Sequence, residues 1–134
     1  MAHRGERGHA PENTMIAFER AAKLGVDALE TDIHQTKDGV LVVCHDDTVN
    51  RMTDGAGQIK EMTLAEVQAF DAGYRWTPDD GKTFPYRGMG HTIPTLEALF
   101  ATYPNMWINI DVKQTEPNIV PQVVEMVRRH DMID

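Results

Sequence analysis

The run Lys37-Asp38-Gly39-Val40 constrains this chain most, because it hinges two β-rich segments back onto each other. Before it, residues 26–34 alternate, with Leu29, Thr31 and Ile33 on one face and Glu30, Asp32 and His34 on the other. After it come Val40, Leu41, Val42 and Val43. Asp-Gly between such runs is the signature of a two-residue type I′ hairpin turn. With Asp38 and Gly39 as that turn, Lys37 faces Val40, Thr36 faces Leu41, His34 faces Val43, Asp32 faces His45 and Glu30 faces Asp47. Directly opposed residues share a face about 5 Å apart, so this register predicts His45 beside the two carboxylates.

The other elements follow from periodicity. Pro11 and Asn13 predict a helix start, Ile16, Ala17, Phe18, Ala21 and Leu24 recur at helical spacing, and Gly25 stops the helix, placing it at about 13–24. From Asp46 to about His91 the chain is rich in Gly, Pro, Asp and Thr, with one helix expected from the capping box Thr63-Leu64-Ala65-Glu66. Gly55-Ala56-Gly57 reads as a turn, since no Lys-Ser/Thr follows it as a phosphate loop requires. Regularity resumes with Ile93-Pro94-Thr95 and a helix at about 96–102. A strand at 107–113 then sets Asn109, Asp111 and Lys113 opposite Ile108, Ile110 and Val112. A last helix, about 118–130, carries Val120, Val123, Val124 and Val127 as its apolar stripe. Strands separated by helices imply βαβ units, a parallel sheet and the α/β class. In such folds chemistry collects at the carboxyl ends of strands, where His3, Glu30, Asp32, Asp111 and Lys113 fall.

Composition excludes some roles. With 13 Lys+Arg against 21 Asp+Glu the net charge is −8, which disfavours a nucleic-acid partner. No apolar run approaches the ~18 residues of a transmembrane helix. Met1-Ala2-His3 has neither the basic nor the apolar region of a signal peptide. The single cysteine, Cys44, cannot form an intramolecular disulfide, and a cytoplasmic location is expected.

Glu30 and Asp32, joined by Asp111 from another strand, offer three oxygen donors and no thiolate, the set suited to Mg²⁺ or Ca²⁺. Surface acids are common on strands, but a strand whose other face is apolar cannot leave acids buried and unpaired cheaply. His3 and His45 are the acid/base candidates, because imidazole titrates near neutrality. His9 and His34 would suggest zinc as further ligands, yet no His-x-x-x-His or Cys-x-x-Cys spacing supports that. His91 and His130 read as loop and helix-end residues. Arg4 and Lys113 either compensate the carboxylates or bind an anionic substrate. Cys44 alternates away from His45 and reads as packing.

The joint occurrence of His3-Arg4-Gly5, Pro11-Glu12-Asn13-Thr14, Glu30-Thr31-Asp32, Thr36-Lys37-Asp38-Gly39, His45-Asp46, Arg51-x-Thr53, Ile93-Pro94-Thr95-Leu96 and Asn109-Ile110-Asp111-Val112-Lys113 resembles the glycerophosphodiester phosphodiesterases, of the phosphatidylinositol phospholipase C-like superfamily. The resemblance implies a TIM (β/α)₈-barrel type of fold, here an N-terminal partial barrel. Residues 1–45 and 92–134 would be barrel units, and 46–91 the family insertion. It implies metal-dependent hydrolysis of a small-molecule glycerophosphodiester to an alcohol and glycerol 3-phosphate. His3 would be base and His45 acid, Glu30, Asp32 and Asp111 would hold the divalent metal, Mg²⁺ or Ca²⁺, and Arg4 and Lys113 would contact the phosphate. Position 111 is Asp where the family usually has Glu. Only three barrel strands are present, against eight in a barrel of ~250 residues. The isolated 134-residue chain is therefore expected to be weak or inactive and to oligomerise through open barrel edges. The resemblance leaves two alternatives: a lysophospholipase D or sphingomyelinase D-like enzyme, or an inactive fragment that needs its missing half.

Overall fold

A computed structural model describes residues 1–133. In chain order it contains β1 (Ala2–His3), α1 (Met15–Lys23), β2 (Ala28–Gln35), β3 (Leu41–Val43), α2 (Leu64–Gln68), α3 (Leu96–Thr102), β4 (Trp107–Val112) and α4 (Val120–Arg129), with a 3₁₀ turn at Ile59–Glu61. This is an α/β protein built on an open four-stranded sheet. Strand β2 is its centre, pairing in parallel with β1 and β4 and antiparallel with β3. The Asp32 carbonyl accepts from Cys44 N while the Ile33 carbonyl accepts from Lys113 N. Successive carbonyls of a strand point to opposite edges, so β3 and β4 flank β2, and β1 shares the β3 edge.

All three long helices cover one face. Leu29 and Ile33 of β2 join Leu41 and Val43 of β3 in a core with Phe18 and Ala21 of α1, Leu96, Leu99 and Phe100 of α3, and Val123 and Met126 of α4. Each fully buried side chain of this size stabilises the fold by roughly 1.5–3 kcal/mol. The period of two leaves Glu30, Asp32 and His34 on the opposite face. A second, smaller core gathers Val42, Cys44, Val49, Ile59, Val67, Ala72 and Ile93. Helix α2 at its border starts at the expected capping box: Thr63 Oγ1 accepts from Glu66 N, and the Glu66 carboxylate accepts from Thr63 N at 2.8 Å. The excursion closes where it began, since Val43 N donates to the Pro94 carbonyl at 2.9 Å and Val42 bridges Thr95.

Three expectations are corrected. The hairpin pairs Ile33 with Val43, His34 with Val42 and Gln35 with Leu41, one residue out of the predicted register. The reason is the turn. Gly39 (φ 82°) is left-handed but Asp38 is not, so Lys37-Asp38-Gly39 makes a three-residue loop closed by Thr36 N to the Val40 carbonyl at 2.9 Å. The Asp38 carboxylate is engaged by the Thr36 hydroxyl and by Leu64 N. A one-residue slip exchanges faces, so Cys44, not His45, stands opposite Asp32, and Glu30 does not face Asp47. Second, α1 is capped by Thr14, whose Oγ1 accepts from Ala17 N, and not by Asn13, which lies outside the helix at φ 55°. Third, α4 buries Val123 and Met126 behind a buried Ile119, while Val120 and Val124 are 48% and 41% exposed. Val123 and Val127 of the expected stripe do face the core, but Ile119 and Met126 complete it in place of Val120 and Val124.

Candidate active site

The site begins where β1 ends. Arg4 (φ 53°) and Gly5 (φ 75°) turn the chain in consecutive left-handed conformations, and Arg4 N donates to Glu30 Oε2 at 2.8 Å. That amide fixes a carboxylate that is 7% exposed. Asp32 is more enclosed, at 1%. Parallel pairing sets it level with Asp111, and Glu30 level with Asn109. One oxygen each from Glu30, Asp32 and Asp111 lie within 4.8 Å of one another.

Three carboxylates this close repel unless cations or a metal stand between them. Lys113 Nζ lies 2.5 Å from Asp111 Oδ2 and 3.4 Å from Asp32 Oδ1, and Arg4 Nε lies 3.2 Å from Asp32 Oδ2. The hydrogen bond that Lys113 donates to Asp111, with the nearby Asp32 charge, raises the Lys113 pKa above that of an ordinary lysine. Asp32 Oδ2 also accepts from Asn13 Nδ2 at 3.0 Å, and Asn13 Oδ1 accepts from the Thr31 hydroxyl at 3.1 Å. The left-handed backbone of Asn13, unhelpful to a helix cap, aims this amide at the buried acid. Arg4 Nε is buried with no partner in hydrogen-bond geometry. The acid cluster is an oxygen-only donor set free of thiolate, and it fits a divalent cation.

The histidines divide. His3 Nε2 lies 3.8 Å from Glu30 Oε2, and its side chain is half exposed. His45 pairs instead with its neighbour, Nδ1 to Asp46 Oδ1 at 2.8 Å. His34 Nε2 contacts the His45 carbonyl at 3.0 Å, and His9 pairs with Glu6, so neither joins the acids. His91 lies in a loop against Tyr86, and His130 ends α4 against Phe100. Burial pushes the Cys44 thiol up to about 12, which suits a packing residue and not a nucleophile.

Four residues of the site were given no part in its chemistry from the sequence: Glu12, Asn13, Asp46 and Arg51. Glu12 Oε2 accepts from Arg4 Nη1 at 2.9 Å, and both its oxygens accept from Arg51. Burial would raise the Glu12 pKa, but the Arg51 hydrogen bonds and the charges of Arg51 and Arg4 outweigh it and hold it below the ordinary value. Asp46 is held down to about 2, chiefly by its hydrogen bond from Arg51. Their only signal in the sequence was membership of the Pro11-Glu12-Asn13-Thr14, His45-Asp46 and Arg51-x-Thr53 motifs.

Fold and site together define an α/β protein whose carboxylates, imidazole and fixed cations gather at the carboxyl ends of parallel strands, the usual seat of chemistry in such sheets. The chain belongs to the glycerophosphoryl diester phosphodiesterase family, whose sequence profile matches residues 3–133. It is 38% identical over 136 residues to a glycerophosphodiester phosphodiesterase of Caldanaerobacter subterraneus subsp. tengcongensis, covering 98% of this chain and 53% of that protein. A human protein named lysophospholipase D is 34% identical over 135 residues, covering 98% of this chain and 41% of that one. Among solved structures, an Oleispira antarctica phosphodiesterase in complex with the product sn-glycerol-3-phosphate superposes with a TM-score of 0.79 at 34% identity, covering 96% of this chain and 51% of that one. The chain thus spans about half the length of the curated relatives it matches. Among the described residues no helix is long and apolar enough to cross a membrane.

Proposed function

We propose that the protein hydrolyses glycerophosphodiesters to an alcohol and glycerol 3-phosphate. The observation that carries this reading is the convergence of Glu30, Asp32 and Asp111 within 4.8 Å, beside Arg4 and Lys113, in a chain of this family. The three acids would hold a divalent metal, Mg²⁺ or Ca²⁺, which when bound supplies Lewis-acid polarisation of a phosphoryl oxygen. Arg4 and Lys113 bind and orient the phosphate, whose charge matches theirs. His3, half exposed at the end of β1, takes a proton from the attacking water as its oxygen bonds to phosphorus. His45 returns a proton to the leaving alkoxide through Nε2, since Nδ1 is engaged by Asp46. Residues 1–45 and 92–134 are units of a (β/α)₈-type barrel and 46–91 an insertion. Support for the insertion is that the residues flanking it meet, Val43 N donating to the Pro94 carbonyl. A free, buried Cys44 accords with a cytoplasmic location.

A second reading, a lysophospholipase D, is favoured by the human relative of that name. Both are tested by incubating the protein, expressed from its whole reading frame, with glycerophosphocholine and with lysophosphatidylcholine. Glycerol 3-phosphate released from the first and abolished by chelation supports the leading reading. Choline released only from the lysolipid selects the second, and no hydrolysis of either with metal supplied overturns both.

A further inference from the structure

Arg51 joins two carboxylates from distant parts of the chain. Its Nε donates to Asp46 Oδ2 at 2.8 Å and its Nη2 to Asp46 Oδ1 at 3.1 Å. The same guanidinium reaches Glu12 Oε1 from Nη1 at 2.8 Å and Glu12 Oε2 from Nη2 at 3.1 Å. Asp46 Oδ1 is also the partner of His45 Nδ1, and Glu12 Oε2 is also the partner of Arg4 Nη1. An unbroken series of charged contacts therefore runs from His45 through Asp46, Arg51, Glu12 and Arg4 to Asp32.

We propose that Asp46 and Arg51 are positioning residues for His45, with Asp46 holding the proton on Nδ1 so that Nε2 is the working nitrogen, and Arg51, anchored by Glu12, fixing Asp46 in place. The inference deepens the proposed function, in which His45 is the proton donor. A carboxylate at Nδ1 selects one ring tautomer and orients the ring, as it does wherever imidazole works beside an acid. A carboxylate alone can rotate about its terminal torsion. Here both Asp46 oxygens accept from the planar Arg51 fork, and Oδ1 is shared with His45 Nδ1, so the carboxylate is held against that rotation. Arg51 is the cation paired with Asp46, while Arg4 links Glu12 to Asp32 of the acid cluster. The His45 backbone is held as well, its carbonyl contacted by His34 Nε2 at 3.0 Å. A lysine at 51 has one donor centre and cannot grip two carboxylates with this geometry.

The test reads the ring directly. In ¹⁵N-histidine-labelled protein from the whole reading frame, long-range ¹H–¹⁵N spectra recorded above the ring titration report the tautomer of His45. The expected result is Nδ1–H in the wild type and at least a threefold fall in its share in Asp46→Asn, the isosteric change that elsewhere leaves a histidine in the wrong tautomer. Arg51→Gln should show a smaller fall and Glu12→Gln the smallest. With glycerophosphocholine, Arg51→Gln should lower kcat about 10–100-fold with KM within about twofold, the usual range for a group that orients another, and Arg51→Lys should lie between. A wild-type ring mainly in the Nε2–H form, or a tautomer unmoved by Asp46→Asn, overturns the proposal. So does a loss of kcat in Arg51→Gln with the ring unchanged, which would make Arg51 only a brace between loops. If Arg51→Gln does not fold, the Asp46→Asn spectrum decides. If the wild type cleaves no phosphodiester, the proposed function fails while the ring spectra still judge the positioning.

Discussion

Gly5 ties the loop bearing His3 and Arg4 to helix α1, and its replacement by Ala separates two physical effects. At φ +75° any side chain is strained, and a Cβ there would stand 2.8 Å from the carbonyl carbon of Ala17, 2.8 Å from its Cβ and 3.0 Å from Phe18 N. Two of those three atoms are helix backbone, which cannot step aside alone. The left-handed conformation costs about 1–2 kcal/mol, and forcing an added carbon into a packed contact typically adds about 1–3 kcal/mol. Two other glycines supply the controls. Gly25 has φ +73° with nothing within 4 Å of a built Cβ, so Gly25→Ala should carry the strain alone. Gly8 has neither a positive φ nor a neighbour within 4 Å, so Gly8→Ala should be neutral or stabilise by a few tenths, through the stiffer unfolded chain. Urea unfolding followed by circular dichroism, with one slope for the series, gives the three differences. The expected order is Gly5→Ala at about 2–5 kcal/mol, Gly25→Ala at about 1–2 kcal/mol, and Gly8→Ala near zero. Gly5→Ala within about 0.5 kcal/mol of Gly25→Ala would refute the close approach of this loop to α1, and with it the backbone path that brings Arg4 N to Glu30.

Calorimetric titration with Mg²⁺ and Ca²⁺ should show Glu30→Gln binding at least about tenfold more weakly than wild type, with Asp111→Glu retaining or improving affinity; unchanged binding in Glu30→Gln counts against the three-acid site. His3→Ala and His45→Ala should each lose about 10²–10⁴ in kcat, and a substrate with a good leaving group should rescue His45→Ala more than His3→Ala; equal rescue reverses the roles. Because the Asp46 pKa is depressed to about 2 by Arg51, its stabilisation is present above the unfolded value near 4 and is lost as pH falls through about 2. The stability gap between wild type and Asp46→Asn, followed by unfolding curves from pH 6 to pH 2, should therefore close on acidification, and a constant gap contradicts the ion pair. Among the described residues β4 pairs only with β2, and Trp107 beside that free edge is 71% exposed. Sedimentation velocity should show the 134-residue chain associating with concentration and Trp107→Lys reducing it; a monomer throughout argues that the edge is not adhesive.

The acid face of β2, the Asn109-Asp111-Lys113 face of β4, the capping box at Thr63 and helix α3 were legible because each depends on a period of two or 3.6, or on one cap, within a few residues. The α/β class followed from their order. What local pattern could not decide was how many residues the hairpin turn would use. A two-residue and a three-residue loop differ little in local energy, and the choice went to the one that lets the Asp38 carboxylate accept from Leu64 N, 26 residues away. That choice shifts the β3 register by one and sets Cys44, not His45, opposite Asp32. The same holds for Asn13, whose helix-start chemistry was outweighed by a buried partner, Asp32, that only the folded chain supplies. Glu12 and Arg51 are 39 residues apart, and nothing periodic links them. Sequence alone thus determined the alternation within β2 and β4, which sets Glu30, Asp32 and Asp111 on their faces, because that information is local. Tertiary structure decided which of them touch, because hydrogen bonds between buried or half-buried charges are chosen by the whole chain at once.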